Sequence, residues 1–282
     1  MTKKQKKVSV VLCLALLALL LTGIILSNTG KAKEESLKEM MRDAVDHSYN
    51  HIAFFGMEVN PAVISAFTVT GILLLFALIV RIFVVPRFKM VPGKFQLFLE
   101  TWVGLFDGLA KGNSPHRNKF LSSYIFVAGT YIFVGTCFEL FGVQAVSTEG
   151  ISLSLPAPLA DINGAIAMGC LSYFMIMMGG IVSNKFRGLG RAIKEFSLPV
   201  SMSFRLFGAL LSGALVTELV YYTIMLSFVL PVIVAVLFTL IHALVQAYVL
   251  TMLVSTYYGE VTEPPHPKEK KKKKVQNTEQ VA

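Results

Sequence analysis

The sequence predicts an all-α integral membrane protein. It should have five to six transmembrane helices, an amphipathic surface helix, and a long tilted antiparallel helix hairpin at its C-terminal end. The first observation is composition. Of 282 residues, 54% are hydrophobic and only 15% are charged, where a soluble domain carries roughly a quarter charged residues. The second is patterning. The apolar residues fall in continuous blocks of about the 20 residues needed to cross a hydrocarbon core of about 30 Å. Lipid admits only helices and closed barrels, and continuous rather than alternating runs select helices. The third is charge placement. Lys and Arg sit at block edges and in a tail containing Lys268 and Lys270 through Lys274, as cytoplasmic segments of membrane proteins do. That distribution accounts for the net charge of +9 and argues against nucleic acid as a partner.

The chain divides into four regions. Residues 1–28 hold the first block, Val8–Leu26, preceded by Lys3, Lys4, Lys6 and Lys7. The run is longer than a typical signal core and no small-x-small cleavage site follows, which favours a retained anchor over a cleaved signal. Residues 29–60 form a polar extracytoplasmic segment. Within it, Asp43, His47 and His51 stand four apart on one helical face, read as a solvated polar face rather than a metal site. Residues 61–259 hold the remaining spans, and residues 260–282 form a lysine-rich cytoplasmic tail.

Within 61–259 the first span covers Pro61–Val85, with Pro61 suited to an opening helical turn. After the basic stretch around Arg87, Lys89 and Lys94, residues Phe95, Phe98, Leu99, Trp102, Phe106 and Leu109 recur at three- and four-residue steps among Gln96, Glu100, Asp107 and Lys111. That is an amphipathic helix on the membrane surface or beneath the bundle. Further spans follow at 120–143, 164–182, 198–228 and 231–257. The last two exceed the minimum length and should tilt. Basic segments placed inside give one alternation: residues 1–7, 86–119, 184–197 and the C-terminus inside; 28–60, 144–163 and the turn near Leu230 outside. Cys13, Cys137 and Cys170 lie in apolar blocks without paired spacing, so neither a disulfide nor a metal site is expected. No cofactor is implied.

Two residues carry polarity where lipid disfavours it. Arg205 lies in an apolar block. A central arginine costs about 2.5–3.5 kcal/mol on insertion scales, and its guanidinium cannot shed its proton. It therefore needs an anion or a water-filled cleft. Gln246 is the second such group, and an antiparallel hairpin turning near Leu230 places both at similar depth. An amide can bond a guanidinium without cancelling its charge.

Around these residues the sequence resembles subunit a of the bacterial F-type ATP synthase membrane sector. Arg205-Leu206-Phe207-Gly208 after Pro199-Val200-Ser201, and Gln246-Ala247-Tyr248-Val249 before Met252-Leu253, are similar to that family's two signatures. Val91 through Gln96 and Pro158 through Asn163 match weaker segments in family order. The resemblance implies a non-catalytic stator subunit in the plasma membrane. It implies partners as well: the lipid bilayer, a ring of c subunits, the b-subunit peripheral stalk and the other ATP synthase subunits. Two half-channels for an ion, the proton in the first instance, would meet at Arg205, which attracts the ionised c-ring carboxylate and blocks a direct leak. Gln246 would sit beside it.

The family pattern carries a carboxylate nine residues after the arginine, where this chain has Ala214, and His or Glu seven before the glutamine, where it has Thr239. Glu218 and His242 stand about one turn away, so these polar roles are expected to have moved. Glu139, Asp161, Asn163, Glu218 and His242 are the expected outer path. Ser201 and Ser203, with Thr251, Ser255 and Tyr257, are polar enough for the inner one, although such residues also bridge helices. The rival reading is a secondary transporter clamping an anion with Arg205; it should show internal repeats, and none is evident.

Overall fold

The computed structural model describes residues 52–54, 57–146, 152–222 and 230–264. The expected anchor, the Asp43–His47–His51 face and the lysine tail lie outside them. Six helices dominate. The first, α1, spans Pro61–Ile79. The Asn60 side chain accepts the Ala62 N–H at 2.9 Å, and Pro61 occupies the first turn, where its missing N–H costs nothing. Ser65, Thr68 and Thr70 turn their hydroxyls onto carbonyls four residues back, which satisfies them inside an apolar helix. The helix continues through a π turn, Val80–Val84, and a 3-10 turn, Val85–Arg87. Pro86 explains the change of pitch, because its ring cannot accommodate a regular α-helical carbonyl one turn earlier.

Helix α2 spans Lys94–Asn113 and α3 spans Lys119–Phe138. The expected amphipathic helix is α2, and its apolar stripe packs along α3 and α6, the last helix, Leu230–Thr262. Phe106 and Ala110 are buried there, and Trp102 donates its indole N–H to Thr130 at 3.1 Å. Gly129 makes the approach possible: a Cβ there would overlap the Phe106 ring and the Thr251 methyl. Glu100, Thr101 and Lys111 stay exposed.

Helix α4 spans Ile162–Lys194 but is not one rod. Lys185 adopts φ 52° and ψ −131°, a left-handed conformation that costs a side-chain-bearing residue about 1–3 kcal/mol. The chain reverses there and returns against itself. A Cβ on Gly188 would strike the Gly180 carbonyl, and the Tyr173 hydroxyl donates to the Ala192 carbonyl at 3.1 Å. The span expected at 164–182 and the basic segment after it thus form one folded-back unit.

Helix α5 spans Ser197–Tyr222 and packs on α4 and α6. The main core runs through Leu121, Ile125, Ala128 and Ile132 of α3, Ala165 and Ile176 of α4, Met202 and Leu206 of α5, and Leu250 and Val254 of α6. Lipid is as apolar as these side chains, so close fit rather than expulsion from water holds such helices together. Two small antiparallel ladders, which the sequence reading did not anticipate, stand before α1 and between α3 and α4. β1 (Ile52–Phe54) pairs with β2 (Met57–Val59), and β3 (Gln144–Val146) pairs with β4 (Ser152–Ser154).

Four stretches among the described residues are long and apolar enough to cross a membrane: Pro61–Arg87, Lys119–Phe141, Ile162–Lys194 and Val232–Thr262. The helix carrying Arg205 is not among these four. It lies between two that are.

Candidate functional site

Arg205 and Gln246 meet across the α5–α6 seam. Gln246 is 6% exposed, and its side-chain amide donates to the main-chain carbonyl of Arg205 at 3.3 Å. The contact is to the backbone, not to the guanidinium. Leu206 and Ala247, each one residue further along its helix, are buried beside them. Small and aliphatic side chains in that seam let the two helices approach, and the Gln246 amide fills the polar gap between them. The Arg205 side chain is exposed. Among the described residues no carboxylate pairs with it.

The surroundings of Arg205 are apolar. On α5, Val200 and Phe204 are 51% and 64% exposed, and on α6 Leu244, Val245, Tyr248 and Met252 are exposed too. Ser201, one turn before Arg205, is the nearest exposed polar side chain on that face of α5. A lone, permanent cation among outward-facing apolar side chains is costly in lipid. The arrangement suits an apolar partner that brings an anion to the guanidinium.

The expected inner-path residues are placed unevenly. Ser201 is exposed. Ser203 is buried, its hydroxyl on the Pro199 carbonyl at 2.6 Å. Thr251 donates to the Ala247 carbonyl at 2.7 Å, and Ser255 donates to the Leu109 carbonyl at 2.9 Å. Ser203 and Thr251 thus bond back within their own helices, and only Ser255 of the three bridges two helices.

The expected outer-path residues do not converge on one another. Glu139 opens the 3-10 turn Glu139–Phe141 after α3 and is exposed. Asp161 stands at the start of α4 without a capping hydrogen bond from its side chain, and Asn163 is exposed two residues on. The loop before them is held to α3 and the turn after it: the Leu155 N–H reaches the Val143 carbonyl at 2.8 Å, and Pro158 lies against Gly135 of α3. Glu139 and Asp161 therefore share one end of the bundle. His242 sits on α6 with Nδ1 2.8 Å from the Phe238 carbonyl and its ring stacked on Phe238. Glu218 belongs to α5, and its side chain lies outside the described residues.

The model of the family described as ATP synthase A chain matches residues 62–259, which include both Arg205 and Gln246. The chain belongs to the ATP synthase A chain family. Among curated relatives, it is 28% identical over 243 residues to the chloroplastic ATP synthase subunit a of Stigeoclonium helveticum, covering 78% of this chain and 92% of that one. It is 24% identical over 220 residues to the sodium-ion-specific ATP synthase subunit a of Propionigenium modestum, covering 72% and 74%. Against ATP synthase subunit a of Actinobacillus pleuropneumoniae, identity is 27% over 157 residues, 46% of this chain and 59% of the relative. The matched stretch thus spans little more than half of that relative's length.

In this member of the ATP synthase A chain family, sequence reasoning passed over one polar cluster. Ser183 donates to the Thr262 carbonyl at 2.9 Å. Asn184 donates to the Val261 and Glu263 carbonyls at 2.9 and 2.8 Å, and Arg191 reaches the Glu260 and Glu263 carbonyls at 3.3 and 3.0 Å. The reversal at Lys185 thereby caps the end of α6, whose last carbonyls have no helical partner. In the sequence Arg191 reads only as an inside-surface charge. No spacing rule links it to residues some seventy positions away.

Proposed function

We propose that this chain is the stationary subunit a of a rotary ATP synthase membrane sector. It crosses the plasma membrane several times, α5 included, with its C-terminus in the cytoplasm. It faces a ring of c subunits, is held by the b-subunit stalk, and performs no covalent chemistry itself. Two ion half-channels, taken as proton paths, approach the ring from opposite sides. The outer one draws on Glu139, Asp161, Asn163, Glu218 and His242, the inner one on Ser201 and its neighbours.

The observation that carries this reading is the exposed Arg205 on an apolar face, with no carboxylate paired to it among the described residues. A c-ring carboxylate passing there in a site of low dielectric is attracted while ionised and loses that attraction once neutralised. The guanidinium cannot release its own proton, so it keeps the two half-channels apart. Gln246 anchors the backbone that carries the charge and leaves the guanidinium free to face the ring.

The test is Arg205→Ala in the assembled complex, with ATP-driven ion uptake measured in vesicles in the presence and absence of Na⁺. The side chain is exposed, so assembly should survive, and coupled uptake should vanish. Uptake at the parental rate would refute the proposal.

A further inference from the structure

A cavity of about 610 Å³ opens at the basic end of the bundle, between the start of α3, the middle of α4 and the end of α6. Its mouth carries His116, Arg117 and Lys119, its wall carries Phe174 and Met178, and Tyr258 lines it from α6. None of these residues belongs to the Arg205–Gln246 seam. The volume falls within the about 300–1,000 Å³ typical of small-molecule sites. The lining is divided in a particular way. The cations lie at or just before Lys119, where the span of α3 begins, while Phe174, Met178 and Val182 lie along the span of α4. Arg117 and Lys119 are exposed, and among the described residues no acidic one lines the cavity.

We infer that this cavity is a binding site for one anionic phospholipid of the inner leaflet. The inference rests on these helices spanning the membrane, not on the role of Arg205. A headgroup phosphate would sit among His116, Arg117 and Lys119, and the upper acyl chain would lie along Phe174 and Met178. The charge complementarity favours a lipid over an apolar helix of another protein, which would leave the two permanent cations without a counter-charge. The apolar wall favours a lipid over free phosphate, which has no use for it. Basic pockets between spanning helices on the cytoplasmic side recognise anionic headgroups in this way.

The test uses the full-length chain in neutral detergent, titrated with phosphatidylglycerol, phosphatidylcholine or inorganic phosphate and read by native mass spectrometry. Phosphatidylglycerol should remain bound where phosphatidylcholine does not, and inorganic phosphate should not displace it. The double variant Arg117→Gln with Lys119→Gln should weaken binding by roughly thirtyfold, from about fivefold per cation near an anionic surface. Met178→Trp fills the wall and keeps every cation; it should also lose the lipid, with helix content unchanged by circular dichroism. A phosphatidylglycerol carrying a photoreactive acyl chain should mark residues 174–182. Equal retention of phosphatidylcholine, displacement by phosphate, unaltered binding in either variant, or labelling confined to other surfaces would each overturn the inference.

Discussion

The Gln246 amide donates to the main-chain carbonyl of Arg205 at 3.3 Å, so the glutamine supports the arginine through its backbone. The charge and its support are thereby separable. One faces outward, and the other is buried in the α5–α6 seam. Removing the support should misplace the charge without deleting it.

Gln246→Leu tests that separation. It keeps the volume and loses the donor, and a net hydrogen bond contributes about 1 kcal/mol. Thermal stability of the complex should fall slightly, while ATP-driven uptake falls severalfold because α5 is no longer registered against α6. Full uptake at equal protein level would show that the bond has no functional weight.

The pair Asp107–Lys111, one turn apart on α2, gives a pH prediction. The Lys111 ammonium holds the Asp107 carboxyl below its ordinary range, against an opposing effect of desolvation and with help from the Ser122 hydroxyl. A carboxyl depressed in the folded state contributes stability above its unfolded pKa, near about 3.9, and that contribution is lost as pH falls further through the folded value. Lys111→Met should move the Asp107 midpoint up toward the ordinary value in a carbon-13 titration and leave neutral-pH stability nearly unchanged. A midpoint that does not move would remove Lys111 as the cause.

The cap on α6 predicts local loosening. Asn184→Ala should free the Val261 carbonyl, while the Glu263 carbonyl keeps Arg191, at a cost of about 1 kcal/mol. Hydrogen exchange in the last turn of α6 should speed up severalfold while exchange around Gln246 stays slow. Uniform acceleration along the helix would mean that the cap governs the whole bundle.

Glu218 is proposed to carry ions in the outer path in place of the acid absent at Ala214. At about 100° per residue an ideal helix separates positions 214 and 218 by some 40° and one turn. Glu218→Gln should lower uptake severalfold, and Ala214→Glu added to it should recover part. Unchanged uptake in Glu218→Gln would leave the outer path to Glu139, Asp161 and His242.

The helices and their order were legible in the chain because each apolar block is long and ends at Lys, Arg, Pro or a polar loop. Arg205 and Gln246 were legible because polarity inside such blocks is rare. The reversal at Lys185 was not, since a lysine at φ 52° carries no signature. It follows from Gly180 and Gly188 meeting after the turn, a long-range fit that local pattern does not encode. The two short ladders are three residues per strand, too brief for an alternating signal. Ser203, Thr251 and Ser255 read equally as path-lining or helix-bridging; the i−4 bonds of the first two are local, but the Ser255 bond to Leu109 is a long-range pairing that local pattern does not encode.

The capped end of α6 has a mechanical meaning. Ser183, Asn184 and Arg191 grip the helix at Glu260–Glu263, and its neighbour Ser114 touches Thr262. From Thr262 back to Gln246 is 16 residues, about 24 Å of helix, and the helix runs on to Leu230 beyond that. A rod clamped at one end behaves as a cantilever. A sideways load bends the far tip most, and Gln246, midway along the rod, is deflected less than the tip.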